Sequence, residues 1–161
     1  MNLALGVAAV IAVGSLPALL VDGKAGNGDH RDTSFGVAVT VPTGWKITSQ
    51  TDDSMLTLRL FRPEPEFASE DCKIIVIKSP ATLRQSQAEI DREFRGDKNH
   101  LSVKALLTLI PDATQQKHRW MNLRGRTTLF VESAFGPGET TRSYQAAFAV
   151  PGRSFDGLCV A

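Results

Sequence analysis

The sequence has little of what enzymes and metalloproteins usually carry at their sites. Its 161 residues include two cysteines and three histidines, and His30, His100 and His118 are far apart without any metal-ligand spacing. No GxSxG elbow is present, and neither cysteine has a base at motif distance. The sequence therefore predicts no metal, no cofactor and no catalytic residue, and we expect a protein that is not an enzyme.

An excess of one charge sign is also missing. Lys and Arg number 18 against 17 for Asp and Glu, giving a net charge of +1, and the chain is 42% hydrophobic. These values are typical of a soluble globular domain and exclude a general attraction to nucleic acid or membranes. A chain of this length suits one domain.

The sequence has one long apolar run, at its amino end. Leu3 to Val13 has the length of a signal-peptide hydrophobic region, and Gly23-Lys24-Ala25 offers small residues before a cut. We expect residues 1–25 to be a cleaved signal peptide and the protein to be periplasmic or secreted. Two alternatives stay open: a retained membrane anchor over Leu3 to Val21, close to the roughly 20 residues that span a bilayer, or a buried helix.

The two cysteines, Cys72 and Cys159, are predicted to form a disulfide. An even pair in an exported chain is typical of a single bridge. A redox or metal-binding thiol pair is the alternative, although neither CxxC spacing nor a neighbouring histidine supports it.

Residues 26–34, rich in Gly and polar side chains, are predicted to be a flexible leader, and residues 35–161 a single domain. Period-two alternation and turn residues predict the strands. These are 35–41, 45–50, 56–61, 72–78, 114–120, 127–135, 141–150 and 154–160. The apolar residues on both sides of 72–78 predict a central strand covered on both faces.

Two helices are predicted between these groups of strands. Ser79-Pro80 is a start signal and Gly96 a stop signal, with Leu83, Ile90 and Phe94 at helical spacing. Leu101 to Ile110 predicts a short helix, with a strand as alternative. The order indicates an α+β fold, an antiparallel sheet with one or two helices packed on it.

Two stretches, FGVAVTVPTGW at Phe35 to Trp45 and SYQAAFAVPGRSFDGLC at Ser143 to Cys159, resemble the PsbP-like superfamily. Its members include photosynthetic lumen proteins, a Ran-binding nuclear transport factor and periplasmic bacterial proteins. The resemblance implies an antiparallel sheet sandwiched by helices and tasks in binding and assembly rather than catalysis. Such folds usually end in a helix across the sheet, whereas the last residues here read as a strand, so either the sequence stops before that helix or a sheet face is left for another chain.

One cluster predicts a binding surface. No acid lies between Asp112 and Glu132, and the basic residues there are Lys117, His118, Arg119, Arg124 and Arg126. On a strand, Lys117 and Arg119 share one face while His118 lies on the other, a pattern that suits an anionic partner. The alternative is a solvated strand whose cations prevent edge pairing.

Trp45, which follows a turn, has two interpretations: a ligand-stacking residue or a plug of the core. For partners, we expect another protein or self-association, no nucleic acid, and a membrane only if the amino-terminal segment is retained. The leading hypothesis is an exported, non-enzymatic binding or assembly module. The alternatives are a small enzyme or enzyme subunit whose site forms only with a partner, and a membrane-anchored surface protein.

Overall fold

The protein is built on two antiparallel sheets. The computed structural model describes residues 11–13, 29–64, 71–96, 115–135, 138 and 141–160. A seven-stranded sheet has the order β4-β5-β6-β10-β9-β8-β7, and a three-stranded sheet has the order β1-β3-β2. The strands are β1 (Ile11–Val13), β2 (Asp29–Asp32), β3 (Val37–Thr40), β4 (Lys46–Thr51), β5 (Met55–Phe61), β6 (Asp71–Lys78), β7 (Gln115–Leu123), β8 (Arg126–Phe135), β9 (Thr141–Val150) and β10 (Arg153–Val160).

The main core lies between the two sheets. Alternation along β5 puts Leu56, Leu58 and Leu60 on one face, where each is at most 2% exposed. The β5–β6 register places the apolar residues of β6 beside them, and β3 packs above with its own valines. The buried members of this cluster are Phe35, Val37, Val39, Leu56, Leu58, Leu60, Cys72, Ile74, Val76, Phe148, Val150 and Phe155. We call this side of the seven-stranded sheet the core face.

The opposite side, the helix face, carries the helix α1 (Gln87–Arg95) over β8 and β9. Leu129 and Val131 form a second cluster there, against which Phe94 and Trp120 pack edge to face with ring centroids 5.4 Å apart. The fold is thus α+β, as the sequence predicts.

The start of α1 differs from its prediction. Ser79 makes no capping hydrogen bond, and Pro80–Thr82 form only a short 3-10 turn. The helix begins instead at Ser86, whose hydroxyl accepts from the Glu89 N–H while the Glu89 carboxylate accepts from the Ser86 N–H. This reciprocal capping box satisfies two free amides, which outweighs the Ser-Pro signal. Leu83 is consequently 66% exposed, whereas the stop at Gly96 is confirmed.

The predicted strands from 35 onward are found, with one difference in coverage. Ile77 is 44% exposed and Ile75 half-buried, so β6 is covered fully on its core face only. The last strand, β10, lies between β6 and β9 at the centre of the sheet rather than at an edge. Its backbone is therefore paired on both sides.

The disulfide is present. Cys72 and Cys159 are directly opposite each other on β6 and β10, and their sulfurs are bonded. Cys72 is buried in the main core, and Cys159 packs against that core. The bridge joins strands whose cysteines are 87 residues apart in sequence.

The amino-terminal segments contain short strands that the side-chain pattern does not indicate. Ile11–Val13, within the predicted signal sequence, and Asp29–Asp32, within the predicted leader, both pair with β3. These strands are defined by their backbone hydrogen bonds to β3. Asp29–Asp32 contains no apolar residue, so it lacks the alternating pattern that would predict a strand. Cleavage after Ala25 stays a prediction. The predicted helix Leu101 to Ile110 lies outside the described residues, and no helix among those described is long and apolar enough to cross a membrane.

Candidate functional site

The basic cluster of the sequence lies on the β7–β8 hairpin. Arg124 and Gly125 both have positive φ, 52° and 79°, as a two-residue type I′ turn requires. Asn122 supports the turn by accepting the Gly125 N–H at 2.8 Å. The turn sets Leu123 opposite Arg126, and the register continues to Lys117 opposite Glu132.

This register separates the five predicted residues. Lys117, Arg119 and Arg126 occupy alternate positions that belong to the core face, whereas His118 lies on the helix face with Trp120. Arg124 is in the turn itself. Lys117 and Arg119 therefore share one face and His118 lies on the other, as the alternation predicts, and Arg126 joins the first two through the register of the hairpin.

The half of the core face formed by β7, β8 and β9 is open only in part, because Thr128 on β8 and Phe148 on β9 are buried. We call the exposed remainder, around Phe130 and Tyr144, the open half. The small sheet covers β5, β6 and β10, but Tyr144 is 37% exposed and Phe130 half-buried. Their rings lie 6.3 Å apart between centroids, and the Arg119 guanidinium lies 5.0 Å from the Phe130 centroid. We call Lys117, Arg119, Arg126, Phe130 and Tyr144 the basic-aromatic surface.

Positive charge dominates this surface. Its one described carboxylate neighbour, Glu132, is bound by Arg142 at 2.8 Å. Lys117 and Arg119 are both exposed, and Arg126 lies 5.9 Å from the Phe148 ring centroid. Cations lying beside aromatic rings form a surface that binds carboxylates and apolar groups together.

The surface adjoins a sheet edge. In the order of the seven-stranded sheet, β7 is last, so no described strand pairs with its outer side. Leu123 and Arg126 close the two-residue hairpin, and such a closing pair is hydrogen-bonded. Hydrogen-bonded pairs recur at every second residue, so Leu123, Met121 and Arg119 direct their backbone N–H and C=O groups to β8. The intervening residues Trp120 and His118 direct theirs outward, where an added strand would bind.

Trp45 belongs to the core. Its partly buried side chain packs against the main cluster together with Ile47. This placement favours the core-plug interpretation over ligand stacking.

A second feature, absent from the sequence predictions, is a shallow polar cleft on the helix face of β4, β5 and β6. Its volume is about 410 Å³. The residues that line it are Thr48, Ser49, Gln50, Thr57, Arg59, Asp71 and Lys73. Arg59 and Lys73 are directly opposite each other across the β5–β6 pair.

The helix face also buries a carboxyl group. Asp156 on β10 accepts from the Gln145 amide at 3.0 Å, and Gln145 is itself 4% exposed. Burial raises the pKa of Asp156 above its ordinary value of 3.8, and the hydrogen bond from Gln145 opposes that rise. Among the described residues no group of three or more His, Cys, Asp or Glu side chains is placed to hold a metal ion.

Sequence reasoning did not find the aromatic half of the basic-aromatic surface or the polar cleft. Phe130 and Tyr144 alternate along their strands like the core residue Phe148, so only the position of the small sheet distinguishes them. The Arg59–Lys73 pairing depends on the β5–β6 register. Nine residues, 62–70, separate those strands in the sequence, so no two-residue turn signal reveals the register.

The sequence matches no protein-family model and no curated protein. Among solved structures, the chain is similar to cyanobacterial PsbP (CyanoP) from Synechocystis sp. PCC 6803, with a TM-score of 0.52 and 14% identity over 92% of this chain and 86% of that one. A crystal structure from Bacteroides thetaiotaomicron VPI-5482 gives a TM-score of 0.44 and 8% identity, covering 77% of this chain and 37% of that protein.

The likeness to cyanobacterial PsbP confirms the predicted PsbP-like fold. At 14% identity it establishes the fold alone. The fold and the disulfide are consistent with an extracytoplasmic protein.

Proposed function

We propose that the protein is an exported, non-enzymatic module that binds an acidic segment of another protein through its basic-aromatic surface. The observation that carries this is the open half of the core face, where exposed Lys117 and Arg119 lie beside Phe130 and Tyr144. A disulfide between distant cysteines supports an oxidising compartment. The lack of a catalytic motif in the sequence favours binding over catalysis.

The geometry favours a polypeptide partner. An extended segment placed along the outer side of β7 would receive main-chain hydrogen bonds from Trp120 and His118. Its alternate side chains would then lie next to Lys117 and Arg119, where Asp and Glu are the complementary residues. The other alternate side chains would meet Trp120, where apolar residues fit. The partner is thus an extended strand in which acids alternate with apolar residues.

A labelled peptide that alternates Glu with Val tests this proposal against the full chain by fluorescence anisotropy. We expect saturable binding that weakens as salt rises from about 50 to about 500 mM, since exposed charges are screened. Replacing both Lys117 and Arg119 by Glu should raise the Kd by at least about tenfold.

The matched control replaces Lys46 and Lys73 by Glu, an equal charge change on exposed residues of β4 and β6. It should leave the Kd within about twofold, because long-range charge alone is screened. A peptide that alternates Lys with Val should not bind. Equal loss in both double variants, or equal binding of the two peptides, would refute a site on β7.

Export is part of the same proposal and has a separate test. Mass spectrometry of the protein purified from its native envelope should find an amino terminus near residue 26. A mature protein that begins at Met1 would instead support the retained anchor.

A further inference from the structure

We propose that the polar cleft on β4, β5 and β6 is a second binding site, and that its ligand is an acidic sugar: an anionic group on a hydroxylated ring. This site lies near the opposite edge of the sheet and on the other face from the basic-aromatic surface. It is therefore independent of the proposed docking function.

The first argument is the pairing of two cations. Arg59 and Lys73 are direct cross-strand partners on the same face. Like charges in this position destabilise a strand pair, whereas an anion between them turns the repulsion into attraction. Asp71 compensates only one of them: its Oδ2 accepts from Arg59 Nε and Nη2, each at 2.7 Å. In the described part of the chain, Lys73 has no ion pair.

The second argument is that one of the cations is already held in place. Arg59 is fixed by Asp71 on one side, and its guanidinium lies 5.4 Å from the Phe61 ring centroid. Asp71 binds Nε and Nη2, so among the described residues Nη1 stays available for a ligand. Lys73 is exposed and can adjust to the same anionic group. A preorganised cation beside an adjustable one lowers the ordering cost of binding an anion.

The third argument is the uncharged lining, which indicates what carries the anionic group. Thr48, Gln50 and Thr57, which share the helix face with Arg59, present hydroxyl and amide groups that both donate and accept hydrogen bonds. Their partners in a ligand are hydroxyl groups. A volume of about 410 Å³ fits one sugar ring rather than a long chain. Carboxylated and phosphorylated sugars share this chemistry, and the experiment separates them.

The test is an NMR titration of the full, oxidised chain with four probes: glucuronate, glucose 6-phosphate, glucose and inorganic phosphate. We expect one of the two acidic sugars to bind with a Kd of about 1 mM, typical of a shallow polar site, and to shift the amides of Thr48, Thr57 and Lys73. Which acidic sugar binds identifies the anionic group. Glucose and inorganic phosphate should each bind at least about tenfold more weakly, since each lacks half of the required groups.

The key variant is Lys73→Gln, which should weaken binding of the acidic sugar by about tenfold. The same variant should slightly raise the Tm of the ligand-free protein, because it removes the repulsion with Arg59. Lys117→Gln is the control, because it makes the same charge change on β7. It should leave the affinity for the acidic sugar unchanged and lower the affinity for the Glu-Val peptide.

No binding of either acidic sugar at about ten times the expected Kd would overturn the inference. So would binding of inorganic phosphate as strong as that of the sugars, or a Lys73→Gln variant that binds normally. Peptide binding is tested by the Lys117 variant and sugar binding by the Lys73 variant. The failure of one proposal therefore does not affect the other.

Discussion

The two halves of the core face are built from the same alternating strands, yet one is fully covered and the other only in part. Over β5, β6 and β10 the small sheet excludes water, and Leu56, Leu58 and Val76 are fully buried. Towards β7 the same face holds Lys117, Arg119, Phe130 and Tyr144, which are exposed or half-buried, whereas Phe148 on β9 is still part of the buried cluster. Alternation along a strand therefore fixes the face on which a side chain lies, whereas the element packed on that face decides whether the side chain becomes core or surface.

The disulfide lies on the boundary between the halves, and its removal should have the largest effect. Cys72 is in the covered cluster, and Cys159 is directly opposite the exposed Tyr144. Replacing both cysteines by Ala should lower the free energy of unfolding by about 4 to 5 kcal/mol, because the bridge closes a long loop of the unfolded chain. Urea unfolding without reductant measures this, and a loss below about 1 kcal/mol would contradict it.

A pair of truncations compares the halves directly. Leu58→Ala leaves a cavity under the small sheet and should cost about 3 kcal/mol, whereas Tyr144→Ala should cost only about 1 kcal/mol because Tyr144 is already 37% exposed. Urea unfolding of both variants gives the two values. If Tyr144→Ala costs as much as Leu58→Ala, the open half is covered in solution, for example by a second copy of the chain.

Asp156, on the helix face of β10, should give the smallest effect. It tests how burial changes the pKa of a carboxyl group and, through it, the stability of the protein. Burial raises the pKa of Asp156, so the folded state binds its proton more tightly than the unfolded state does. The stability contribution of this group is therefore most favourable below the ordinary value of 3.8 and declines as pH rises through the folded pKa. Asp156→Asn should flatten that dependence and raise stability at neutral pH.

The control for this variant is Asp53→Asn, at an exposed turn. Unfolding of each protein across the acid range gives the comparison. A wild-type stability that rises with pH relative to Asp156→Asn over the same window would mean that the carboxylate is favoured in the folded state.

Much of the fold could be predicted because it is local. Phe35, Val37 and Val39 alternate, and Gly96 ends α1, so both features follow from short sequence patterns. The start of α1 is also encoded locally, in the Ser86 to Glu89 capping box, but the Ser79-Pro80 pair is a competing start signal seven residues earlier. The strand at Asp29–Asp32 could not be predicted, because only its backbone pairing with β3 defines it.

The candidate sites were less accessible to sequence reasoning because they depend on register and coverage. Lys117 and Arg119 were assigned to one face from alternation alone. Their aromatic neighbours come from two other strands, so Phe130 and Tyr144 appeared only once the sheet was assembled. Arg59 and Lys73 likewise meet only through the β5–β6 register.

The most direct measurement is site-specific photo-crosslinking in the native envelope. A photoreactive phenylalanine replaces Tyr144 in the open half, and in a separate protein it replaces Leu83, which is 66% exposed away from β7. We predict that position 144 crosslinks to a protein segment in which Asp or Glu alternates with apolar residues, and that the adduct disappears when Lys117 and Arg119 are both Glu. Adducts with lipid alone, or a protein adduct that persists after charge reversal or forms equally at position 83, would contradict an acidic partner on this face.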